Sequence, residues 1–85
     1  MDAKDYVKER DEALTESIKK DSVEPFKAFL IKNSISIPKC YTMPPDKVLE
    51  ISIRKAAIHS NGVEPLYKGL AVNWLLERGY DLDLN

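Results

Sequence analysis

Apolar residues recur at helical spacing in four stretches of the chain, and polar or proline-rich residues divide them. Within residues 3–20, Ala3, Val7, Leu14 and Ile18 share one face, with Ala13 beside it. Lys4, Lys8, Glu9, Glu12, Glu16 and Lys19 fill the opposite side and predict a solvated surface. In the second stretch Val23, Phe26, Phe29 and Leu30 form a buried stripe that Ile31 widens. The third, residues 45–60, carries Leu49, Ile53, Ala56 and Ala57 on one face and Val48, Ile51 and Ile58 on another. That two-sided pattern predicts a helix with neighbours on both sides. The fourth, from Val63 to Arg78, offers Leu66, Leu70, Ala71, Trp74 and Leu75 as core, flanked by Val72 and Leu76.

The residues between these stretches are helix-start and helix-stop signals. Ser22 is placed to cap the second helix, with Pro25 in its first turn. Pro45 and Asp46 open the third helix, and Asn61-Gly62 stops it. Gly79 follows Arg78 as a C-terminal cap, while Gly69 predicts a kink or a close helix approach. Ser34-Ile35-Ser36-Ile37 and Tyr80-Asp81-Leu82-Asp83-Leu84 alternate, which predicts short extended segments near 34–37 and 80–84. Residues 38–45 hold three of the five prolines and form an internal linker.

One pattern ties the chain together. Val23-Glu24-Pro25 returns as Val63-Glu64-Pro65, 40 positions later, each time after a polar turn pair and before an apolar helix. The expected fold is therefore all-α, with four helices arranged as two linked helical hairpins in a single domain, residues 1–85.

Composition narrows the function classes. The 85 residues are 44% hydrophobic and 32% charged, as in folded proteins. A chain of this size has one modest core, so self-association is a natural way to add buried area. The net charge is −1, and neither half is a basic module, so nucleic acid is not an expected partner. No apolar run spans a membrane, and the charged start Met-Asp-Ala-Lys-Asp-Tyr lacks a signal-peptide pattern, so the expected location is cytoplasmic.

Catalytic chemistry finds no constellation. His59 is the only histidine and is read as a surface or capping residue at a helix end. Cys40 is the only cysteine, which rules out an internal disulfide and a cysteine-built metal site. Asp81-x-Asp83-x-Asn85 matches only the opening of a calcium loop, without its glycine and bidentate glutamate. Gly62, Gly69 and Gly79 are too dispersed to cradle a phosphate. No catalytic, cofactor-binding or metal residue is assigned, and the chain is expected to be non-enzymatic.

Two resemblances rest on these segments. Ala13–Glu24 followed by Phe26–Asn33 is similar to the helix-turn-helix of an ankyrin repeat, and Trp74–Leu82 resembles the close of a second, longer unit. That likeness implies a binding scaffold with a protein partner. The order Phe26-Lys27-Ala28-Phe29, Ile37-Pro38, Val48-Leu49 with Lys55-Ala56, and Trp74-Leu75 with Gly79 resembles small prophage-encoded helical proteins. It implies phage origin but no activity.

The expected function is protein–protein contact, by a partner or by self-association, with Tyr41, Met43 and Tyr67 as contact candidates because exposed Tyr and Met favour interfaces. The alternative is a helix-turn-helix DNA-binding or regulatory protein using residues 46–78, with Glu64, Tyr67, Lys68 and Asn73 exposed on the last helix.

Overall fold

The computed structural model describes residues 3–37 and 42–83. It contains α1 (Ala3–Lys20), α2 (Glu24–Lys32), α3 (Pro45–Ile58) and α4 (Pro65–Glu77), and no strand among the described residues. The fold is all-α. α1 pairs with α2 and α3 with α4, giving the two hairpins, and α1 also packs on α3 and α4. The most charged helix is thus the hub.

Helix ends follow local chemistry. Prolines stand in the first turns of α2, α3 and α4, where a missing N–H breaks no helical bond. α1, α2 and α4 close with the same paired bonds. Ser22 N–H donates to Ser17 C=O (3.0 Å), Ile35 N–H to Leu30 C=O (2.9 Å) and Tyr80 N–H to Leu75 C=O (3.0 Å). The residue before each donor is left-handed: Asp21 at φ 50°, Ser34 at φ 56° and Gly79 at φ 78°.

The recurring Val-Glu-Pro does not start its helices in the same register. Val23 is the N-cap of α2, whereas Glu64 is the N-cap of α4. What the copies share is a buried valine, Val23 and Val63, at the foot of each hairpin's second helix. Ser22, expected as the cap, lies one residue earlier and accepts only the Glu24 N–H (3.2 Å). The buried Ser17 of α1 reaches across instead, its Oγ accepting the Phe26 N–H at 3.0 Å.

The core draws on all four helices: Leu14 and Ile18, then Phe26, Phe29 and Leu30, then Leu49, Ile53 and Ala57, and Ala71 and Leu75. Tyr6 and Phe26 flank Phe29 with ring centroids 5.4 and 5.8 Å away, which knits α1 to α2. Several expected core residues face outward. Val7 is 42% exposed and Ile31 66%, and on α4 Leu66, Leu70 and Leu76 are 65%, 49% and 57% exposed. Among the described residues α4 packs chiefly on α3 and less on α1, so a helix with apolar residues around most of its circumference leaves these leucines uncovered.

Ile35–Ile37 and Tyr80–Asp81 are non-helical but do not pair as strands. The second tail folds onto α3: Lys55 Nζ donates to Asp81 Oδ1 (2.8 Å) and His59 Nε2–H donates to the Leu82 carbonyl (2.9 Å). Gly69 neither breaks α4 nor admits a neighbour, since a Cβ there would meet nothing within 4 Å.

Candidate interaction surface

Position 11 lies on the stripe of Val7, Leu14 and Ile18, and the fold buries it. Asp11 accepts hydrogen bonds from the Ser60 hydroxyl and, at 3.1 Å, from the Arg10 guanidinium, so the foot of the second hairpin is pinned to α1. Gly62 passes so close that a Cβ would collide with the same carboxylate.

Beyond this junction α1 and the α3–α4 turn enclose an open groove of about 1010 Å³. Val7, Asp11 and Thr15 form one row of its α1 wall and Lys8, Glu12 and Glu16 the next, while Asn61, Gly62 and Glu64 form the other wall. Most of the surface inside it is carbon, and four carboxylates border it against one ammonium.

A second cluster joins α3, α4 and the first interhelical turn. Arg54 is buried, donating to the Glu50 carbonyl (3.0 Å) and to Asp21 Oδ1 (2.9 Å), and its guanidinium lies 4.1 Å from the Trp74 ring. Arg78 lies at the same 4.1 Å from that ring, and Tyr80 stacks on it at 6.2 Å. Burial pulls the Arg54 guanidinium below its ordinary value, and the Asp21 charge opposes that. Asp81 is held below the usual carboxylate value, first by the hydrogen bond from Lys55.

The expected contact residues fall in different settings. Tyr67 is half-buried and packs against the core cluster, Met43 is half-buried beside the start of α3, and Tyr41 lies outside the described residues. Of the α4 residues expected to meet DNA, Glu64 and Asn73 are exposed, while Tyr67 and Lys68 are half-buried. Glu64 and Asn73 share the surface with Leu66, Leu70 and Leu76 rather than with phosphate-binding cations.

No family model, curated protein or solved structure matches this chain. Among the described residues no group of three or more metal-ligating side chains gathers, and no helix is long and apolar enough to cross a membrane.

Sequence reasoning missed the groove and both buried ionic residues. Asp11 could have been found from its place on the apolar stripe of α1. Arg54 follows Ile53 directly on the core side of α3 and carried a weaker signal. The groove depends on the approach of α1 to a turn some 50 positions later, which no local pattern encodes.

Proposed function

We propose that the chain is a non-enzymatic, cytoplasmic helical module that acts through protein contact, presenting the outward face of α4 to a partner. The supporting observation is the exposure of Leu66, Leu70 and Leu76 on one helix of a small fold that has no use for them in its own core. The buried ionic groups are spent on internal contacts: Asp11 accepts the Ser60 hydroxyl from the end of α3, and Arg54 of α3 pairs with Asp21 in the turn after α1, which fits a scaffold. An ankyrin-like helix pair implies the same kind of role, and a phage setting, implied by the second resemblance, suits a small partner-binding protein.

Site-specific photocrosslinking in the cells that make the protein tests this reading. A crosslinker at Leu70 is expected to yield a discrete heavier species, and one at Lys32, exposed at the end of α2, is not. Equal labelling at both positions, or none, would count against it. Light scattering over a range of concentrations distinguishes a foreign partner from a second copy of the chain.

A further inference from the structure

We propose that the groove between α1 and the α3–α4 turn seats an amphipathic segment of another protein whose polar side is lysine or arginine. The inference rests on the protein-contact reading above and adds a second contact surface, distinct from the α4 leucines, whose occupant has a defined chemistry.

The groove's shape suits a short helix. Its α1 wall runs from Val7 to Glu16, about 14 Å at 1.5 Å per residue, or some two and a half turns. The six α1 positions fall in two rows with a spacing of four, the ridge pattern into which an apolar helix face docks. Val7 is half-exposed at one end, and the surface inside is mostly carbon, so apolar anchors lose water on entry.

Charge selects the occupant. Glu12 and Glu64 stand on opposite walls, both exposed, and neither has an ion-pair partner among the described residues. Among the described residues Glu16 pairs with the exposed Lys20 alone (3.4 Å), a pair weak enough for a competing cation to displace. The bonds from Ser60 and Arg10 all fall on Asp11 Oδ1, so this buried carboxylate shapes the floor and adds field without offering both oxygens to a ligand. Lys8 stands alone near the amino-terminal end of α1, so a bound segment meets carboxylates along most of the groove and one cation at its end. An acidic segment would be repelled, and a purely apolar one would leave Glu12 and Glu64 without compensation. The competing occupant is a second copy of this chain offering the leucines of α4.

The test is an NMR titration of the isotope-labelled full chain with two synthetic amphipathic peptides. They share leucine positions and differ in a lysine or a glutamate polar face. The lysine peptide is expected to give saturable amide shifts confined to residues 7–16 and 61–64. Its affinity should fall roughly tenfold in the E12K/E64K double variant, a loss matching close charge-pair couplings. Both positions are exposed, and an unchanged thermal melt establishes that the variant is folded. Saturation by the glutamate peptide at the same residues overturns the inference, as does the absence of groove shifts with either peptide. Shifts centred on Leu66, Leu70 and Leu76 with both peptides overturn the groove but leave the protein-contact reading standing. Groove shifts that grow with protein concentration alone identify a second copy and also overturn it.

Discussion

Replacing Gly62 by alanine is expected to loosen the whole fold through one carboxylate. A Cβ at this position runs into Asp11, lying 2.8 Å from its Cγ and 3.1 Å from its Cβ. Asp11 has little freedom to yield, being buried and held by the Ser60 hydroxyl and the Arg10 guanidinium. Gly62 is not left-handed, so the conflict is steric rather than conformational. Overpacking costs about 1–3 kcal/mol and loss of a hydrogen bond to a charged group about 1.5–3 kcal/mol; because one displacement causes both, a combined loss of about 2–4 kcal/mol is expected. The stiffer unfolded chain returns about 0.4–1 kcal/mol at most. Set against the roughly 4–13 kcal/mol typical of a domain this long, the loss is large. Urea unfolding followed by far-UV circular dichroism on Gly62→Ala, Asp11→Ala and the double variant measures it. Asp11→Ala removes the obstructing atoms, so the double variant should exceed the additive stability by at least about 1 kcal/mol. Additivity within about 0.3 kcal/mol would refute the reasoning.

Three further outcomes follow from the same geometry. Ser17→Ala should lower stability by about 1–2 kcal/mol because the Phe26 N–H at the start of α2 loses its acceptor, whereas Ser22→Ala at an exposed turn should cost only a few tenths; equal losses in thermal melts would contradict this. Asp21→Asn keeps a residue tolerant of the left-handed turn but leaves the buried Arg54 without its countercharge, so it should cost about 1–2 kcal/mol. Arg54→Met leaves only a solvated carboxylate behind and should cost less; chemical denaturation of the pair gives the order. The Asp81 carboxyl, lowered by Lys55, favours the docked tail above its unfolded pKa, and that contribution disappears as pH falls through its lower folded value. The protection of the Asp83 amide, whose N–H donates to Asp81 Oδ1, measured relative to its intrinsic exchange rate at each pH, should report the release, and Asp81→Asn should remove the pH dependence of that protection.

The helices were legible because each signal was local. Prolines at 25, 45 and 65 and the glycine at 79 mark ends that depend on their own neighbourhoods. Inward faces were legible where the stripe was unambiguous, as for Phe26, Phe29 and Leu30 or Leu49, Ile53 and Ala57. On α4 leucine, valine and alanine lie around most of the helix, so periodicity ranks the exposed Leu66 and Leu70 with the buried Ala71 and Leu75. Asp11 and Ser17 failed in the opposite sense: both are polar, yet each is buried because a partner on another element satisfies it. Tyr67 reads as a surface aromatic in the sequence, although packing against the core cluster half-covers it.

The central place of α1 sets a timetable for a chain emerging from the ribosome. Ser17 meets Phe26 across nine positions, so the first hairpin can cap itself as soon as α2 has formed. Arg54 reaches Asp21 only after 33 positions, and Ser60 reaches Asp11 after 49. Until then Asp11 is hydrated on an open helix face. Its burial is therefore a late step, and the groove it borders exists only once the second hairpin has arrived.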